Sequence, residues 1–235
     1  MTNENEENSN KKKKTNSKKN GFTKFYKSHL NFREEIFNRC SDNHKLSVSI
    51  MALTGCRPSE LKNIFIEKVD NQLKFTIKGA KVNEAQSRGI KERVLTIAID
   101  EKSYNEYLVN TIENSDVKNT LFLDLKTTLQ AISTEIIRTS QKLYKNKYKA
   151  SSYTFRHAFA EDLKTGGYIK EEIAVAMGHR SVNSQGAYGY KLKTGDLQGP
   201  KILSIENKSN EKINTVSKLD KFKIRSKLKK LKNPH

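Results

Sequence analysis

Tryptophan is absent from this sequence, and cysteine occurs only twice and proline three times in 235 residues. Neither Cys40 nor Cys56 stands in a C-x-x-C or histidine-linked spacing, which argues against a disulfide framework and against a structural zinc site. No run of ligand residues has metal-site spacing, so neither a metal nor a cofactor is expected. Long apolar stretches are missing too. Hydrophobic residues make up 34% of the chain, and nothing approaches the ~18 consecutive apolar residues that span a bilayer. The opening MTNENEENSN lacks the apolar segment of a secretory signal. These absences argue against disulfide-stapled and membrane-spanning classes, and the expectation is an intracellular protein, cytoplasmic (nucleoid-associated) or organellar, rather than a secreted one.

Positive charge is abundant. Lys and Arg number 45 against 26 Asp and Glu, a net charge of +19. Residues 1–20 carry six Lys and three Glu, residues 21–200 carry 28 bases and 20 acids, and residues 201–235 carry 11 bases and three acids. Even the central stretch, which must hold any folded core, is basic, and that implies a polyanionic partner. The excess of Lys over Arg (36 to nine) and the 22 Asn also fit an A/T-rich genome. Charge by itself therefore does not separate a nucleic-acid binder from a merely solvated surface.

Residues 1–20 have almost no apolar side chains and read as a disordered arm. Phe25, Phe32, Ile36 and Phe37 are spaced for a helix, and Leu46 to Leu53 predict a second one that Gly55 stops. Pro58 suits the first turn of a short helix through Leu61 and Ile64. The period then changes. IFIEKV, QLKFTIK and RVLTIAI predict a small three-stranded antiparallel sheet, with Asp70-Asn71 as the first turn. The connection GAKVNEAQSRGIKE is long and polar, a common property of functional loops. After Asp100, an expected N-cap, the chain reads as helical to the end of its core. Leu129 to Leu143 forms one helix, Tyr153 to Leu163 a second closed by Gly166-Gly167, and Glu171 to Met177 a third closed by Gly178. Lys191 to Asn214 reads as polar and loose, and a basic amphipathic helix is expected within 216–232. The fold class is α+β, mostly helical. The expected division is an arm at 1–20, one domain at 21–192 and a basic tail at 193–235.

Four segments carry chemistry when taken together. TGCRPSEL (54–61) puts Arg57 where one helix ends and the next begins, so a guanidinium and free backbone N–H groups can meet one phosphate. In YTFRHAF (153–159), Tyr153 and Arg156 are three apart and share a helix face. MGHRS (177–181) places His179 just after a helix stop. QGAYGY (185–190) places Tyr188 nine residues beyond His179. Each has an ordinary reading as well: a surface ion pair of Arg57 with Glu60, a structural role for His157, and solvated lysines at Lys78, Lys81 and Lys91. Tyr190 competes with Tyr188.

In order and spacing these segments resemble the catalytic domain of the tyrosine recombinases, the phage-integrase family of DNA-breaking and -rejoining enzymes. TGCRPSEL matches that family's TGxRxxEL throughout, Arg156-His157 its second pair, and Gly178-His179 its third, while Tyr188 falls at the expected step. The resemblance covers roughly residues 22–190 and implies a metal-free enzyme that acts on double-stranded DNA through a 3′-phosphotyrosine intermediate. It also implies a homo-oligomer on DNA, a synaptic tetramer. By the same resemblance Arg57 and Arg156 clamp the scissile phosphate, and Tyr188 attacks phosphorus. His179 hydrogen-bonds the phosphate or helps manage the tyrosine proton, and Lys81 protonates the leaving oxygen. The chemistry is sound on its own terms. A phosphodiester repels nucleophiles, and two fixed guanidiniums neutralise that charge. A covalent intermediate conserves the bond energy, so no ATP is needed.

Two departures stand out. Where the family has histidine, three residues before the second arginine, this chain has Tyr153, which donates a hydrogen bond but is no acid–base near neutral pH. The second is an expectation: residues 1–20, read as a disordered arm, are not expected to supply the helical N-terminal clamp domain usual in the family. Two other readings remain open, a non-catalytic DNA-binding remnant of an integrase and a type IB topoisomerase-like relaxation activity.

Overall fold

The computed structural model describes residues 18–123, 125, 127–145, 148–188 and 198–216. Nearly all of the expected arm, Tyr190 and nearly all of the expected basic helix at 216–232 lie outside the described residues. Helix α1 (Lys18–Ser28) begins four residues before Phe22. The helical spacing across Phe25 to Phe37 is split into α1 and α2 (Phe32–Arg39), because the chain turns at 29–31, where the Phe32 amide donates to the His29 carbonyl at 3.2 Å. Phe22, Phe25, Tyr26, Phe32, Ile36 and Phe37 are all buried. Helix α3 (Asp42–Thr54) ends at Gly55, φ +56°, as its sequence predicts. A Cβ at Gly55 would lie 2.5 Å from Cβ of Phe159, so the residue must lack a side chain both for its left-handed backbone and for close packing. Pro58 opens a 3₁₀ turn (Pro58–Asn63) rather than an α-helix.

Strands β1 (Ile64–Val69), β2 (Gln72–Lys78) and β3 (Glu92–Ala98) follow the predicted alternation. Asp70, φ 50°, makes the turn between the first two. The sheet, however, has five strands, not three: its order is β4-β1-β2-β3-β5, all antiparallel, with β4 (Thr120–Phe122) on β1 and β5 (Ile202–Asn207) on β3. Two expectations are corrected by this. The chain after Asp100 is not helical throughout, and the stretch read as loose contains a sheet strand followed by a hydrogen-bonded segment to Val216. Both added strands sit at the edges of the sheet. Three residues are too few to register an alternation, and β5 is only half-buried along its length, so neither carries the inside–outside period that marks a central strand.

Helix α4 (Ser103–Glu113) is capped at Lys102, with Asp100 Oδ1 accepting from the Lys102 amide. Helices α5 (Leu129–Leu143), α6 (Ser152–Thr165) and α7 (Lys170–Ala176) match the three predicted ones. Helix α3 packs on α4 and α6, and α7 packs on β3 and β5. A buried ion pair, Arg33 with Asp162, fastens α2 to α6. Tyr26 joins it by donating to Asp162 Oδ1 at 2.8 Å. Both cysteines are buried and free. Among the described residues no helix is long and apolar enough to cross a membrane.

Candidate active site

The four motifs meet at one end of the helical layer, against the β2–β3 loop. The αL turn at Gly55 aims the chain so that Arg57 stands at the entry to the 3₁₀ turn, only 8% exposed. The ion pair with Glu60 exists, but it is internal rather than a surface pair. Arg57 Nη1 donates to Glu60 Oε1 at 2.6 Å, the Arg57 amide donates to Oε2 at 2.8 Å, and Glu60 is fully buried. A third partner comes from β3. Arg93, also fully buried, donates from Nη2 to Glu60 Oε2 at 3.0 Å.

Helix α6 supplies Arg156 from its buried face. Its Nη1 donates to the Gly55 carbonyl at 3.0 Å, and its Nη2 reaches the Met177 carbonyl and lies 3.1 Å from His179 Nε2. Because Arg156 has only N–H groups to offer, His179 Nε2 accepts and the ring proton sits on Nδ1. Among the described residues that Nδ1 has no hydrogen-bond partner. Gly178, φ +62°, makes the turn that presents His179 after α7. The Tyr188 ring stacks on His179 (centroids 5.5 Å) and tilts against His157 (5.2 Å). The Arg156 guanidinium carbon lies 5.2 Å from its centre. The tyrosine's backbone is held as well, since Lys164 Nζ donates to its carbonyl at 2.8 Å.

Arg57, Lys81, Tyr153, His179 and Tyr188 line a single cleft of about 630 Å³, joined by Arg88 and Arg180. Arg156 lies beneath its floor, fully buried behind the Tyr188 ring. All six residues singled out in the sequence are therefore brought together, five at the cleft surface and one under it. Tyr153 is 43% exposed. Of the competing hairpin lysines, Lys91 is paired with Glu84 at 2.9 Å, and only Lys81 reaches the cleft.

Three buried guanidiniums against one buried carboxylate leave an uncompensated positive field, and the titratable groups register it. Burial works to raise the Glu60 pKa, but Arg93 and Arg57 outweigh it and hold the carboxyl down at about 2. Burial together with Arg156, Arg57 and Arg93 lowers the His179 pKa to about 2, so its imidazole is neutral at any working pH. Burial and the Arg57 charge likewise pull Arg156 below the ordinary guanidinium value. Such a basin favours an anion of single or double charge. Among the described residues no cluster of His, Cys, Asp and Glu is able to hold a metal ion.

Sequence reasoning missed Arg93, Arg88 and Arg180. Arg180 donates to Glu84 Oε2 at 3.2 Å, bridging the His179 segment to the β2–β3 loop. Its place in MGHRS, beside His179, was the one available signal. Arg93 begins the strand RVLTIAI, and nothing in hydropathy distinguishes a buried arginine from a solvated one at a strand start.

The profile described as the phage integrase family matches residues 28–194. The fold is similar to that of the XerH site-specific recombinase bound to difH substrate in a pre-cleavage complex, with a TM-score of 0.51 and 20% identity over 68% of this chain and 48% of that one. A post-cleavage complex of XerH with palindromic difH substrate gives a TM-score of 0.50 at 20% identity, over 68% of this chain and 47% of that one. This chain thus spans about half the length of the XerH structures it matches. No curated protein matches the sequence. With four motifs in register, a shared fold and a family profile that covers more than half of its length, the chain belongs to the phage integrase family.

Proposed function

We propose that this protein is a site-specific recombinase or integrase that cleaves and rejoins duplex DNA through Tyr188. The observation that carries the reading is the cleft itself, where a phenol, a loop ammonium and a neutral imidazole face a basin with two more guanidiniums than its carboxylate balances. A phosphodiester seated there has its non-bridging oxygens neutralised by Arg57 and Arg156, with a neutral N–H donor from His179 and a phenol O–H from Tyr153. The Tyr188 oxygen attacks phosphorus, and the bond to the 5′-oxygen breaks. The phenol proton of Tyr188 passes to bulk water, the protein is left with a 3′-phosphotyrosyl link to the DNA, and the departing 5′-oxygen takes a proton from the Lys81 ammonium, which solvent then reprotonates. Reversal with a different 5′-hydroxyl rejoins the strand. His179, neutral and already accepting from Arg156, positions that guanidinium and the Tyr188 ring rather than shuttling the proton. Arg156, now behind the tyrosine, meets the phosphate when the ring swings toward phosphorus. Duplex DNA as substrate and assembly of protomers into a synaptic tetramer on it belong to the same proposal.

The test uses the full chain with nicked suicide duplexes drawn from DNA that the protein retains. The expected product is a denaturant-resistant adduct on the 3′ end of the cleaved strand, formed in the presence of a chelator. Relaxation of supercoils by a monomer without site preference would move the reading to a topoisomerase. DNA binding with no adduct on any duplex would reduce it to a non-catalytic remnant.

A further inference from the structure

Arg93 stands outside all four motifs, yet it ties two of them together. Its Nη2 and Nη1 lie 3.0 and 3.4 Å from the two carboxylate oxygens of Glu60, while its Nε donates to the Ala176 carbonyl at 2.9 Å. Glu60 in turn grips both the side chain and the backbone amide of Arg57. The Ala176 carbonyl belongs to the last turn of α7, from which Gly178 and His179 emerge. Space has been kept for this arrangement, because a Cβ at Gly178 would lie 2.8 Å from Arg93 Nη1. Arg93 has no exposed surface, and all three of its nitrogens are engaged within the protein. It is therefore not a substrate contact. A lysine offers one point charge and lacks the planar fork that meets two carboxylate oxygens and a carbonyl at once.

Resting on the function proposed above, we infer that Arg93 is a positioning residue. It fixes the rotamer of Glu60 and thereby aims Arg57 at the phosphate, and it anchors the α7 terminus that presents His179. Removing it leaves every cleft-lining group present but lets the Arg57 guanidinium wander. Misplacement of a charge-stabilising group by about an ångström costs ~100-fold in rate.

The experiment compares wild type with Arg93→Lys and, as a gentler disturbance of the same link, Glu60→Asp. Two readouts are taken from each. The first is the Arg57 side-chain N–H signal in proton–nitrogen correlation NMR, which the presence of only nine arginines makes assignable. It is expected to be slow-exchanging in wild type and averaged in both variants. The second is single-turnover cleavage of a phosphodiester duplex against one with a neutral methylphosphonate at the scissile position. The variants are expected to lose ~100-fold on the phosphodiester and less than ~10-fold on the methylphosphonate, because a neutral group does not call on Arg57's charge. DNA affinity should stay within ~3-fold, since phosphate contacts elsewhere supply most of it. Equal losses on both substrates, or an Arg57 signal unchanged by the variants, would overturn the inference and reduce Arg93 to an ordinary core ion pair. A wild-type chain that forms no covalent product would instead refute the proposed function, and the Arg57 signal would still decide the role of Arg93.

Discussion

Replacing Glu60 with Gln removes the carboxylate that Arg57 and Arg93 share, and the cost should depend on pH in a way that identifies its cause. In the folded protein the two guanidiniums hold Glu60 at about 2 against an ordinary 4.5. A carboxyl with a lowered folded pKa contributes stability that is present above its unfolded pKa and is lost as the pH falls toward the folded one. A shift of that size corresponds to about 3 kcal/mol at neutral pH. The figure agrees with the range of roughly 3–5 kcal/mol for stripping one partner from a buried pair. Glu60→Gln should therefore destabilise the fold by about 3 kcal/mol near pH 7. The difference from wild type should shrink by about 2 kcal/mol on going to pH ~3, because there Glu60 of the unfolded wild type takes up a proton while the folded carboxylate stays ionised, and the variant has no such group. Urea titrations followed by far-ultraviolet circular dichroism, suited to a chain without tryptophan, measure this at each pH. A destabilisation that stays constant from neutral pH to pH ~3 would show that the loss comes from packing and refute the electrostatic reasoning.

Three further outcomes follow from the same geometry. Asp162→Asn leaves Arg33 buried without its counter-charge, and thermal unfolding should show a midpoint lower by on the order of 10 °C. Lys81→Ala should slow cleavage by ~100-fold or more, with most of the rate restored by a duplex whose 5′-bridging oxygen is replaced by sulfur, since a thiolate leaves without an acid. If sulfur does not restore the rate, the proton comes from another group. Because His179 stays neutral down to about pH 2, rate–pH profiles of wild type and His179→Gln should run parallel across the free-imidazole range near ~6.5. An inflection there in wild type that vanishes in the variant would show a titrating imidazole.

Much of this architecture was legible from the chain. Helix α5 and strands β1 and β2 bury one face, which writes a period into the sequence, whereas α3, α6 and α7 are buried nearly all round over part of their length and were legible from their apolar residues and glycine stops. The glycines at 55 and 178 ended helices where expected, because both need the left-handed region. The motif residues from Arg57 to Tyr188 converge as their spacing suggested, since α3, α6 and α7 deliver them to one end of the layer. What stayed hidden was whatever depends on contact without period. Strands β4 and β5 are edge elements whose pairing partners lie far away in the chain. Arg93 and Glu60 look like surface residues until their partners are known, and the burial of a charge is a property of the assembled site rather than of any local stretch. Tyr153 was legible as a departure from the family and lies in the cleft, half-exposed, where a phenol can reach a ligand.

The most direct measurement is to trap the covalent product on a suicide duplex, digest away the DNA and the protein, and locate the nucleotide-bearing peptide by mass spectrometry. A 3′-nucleotide linked to the phenol oxygen of Tyr188, with the linkage lost entirely in Tyr188→Phe, is the predicted result. The same nucleotide found on Tyr153 or Tyr190, or an undiminished adduct in Tyr188→Phe, would contradict the assignment of Tyr188 as the nucleophile.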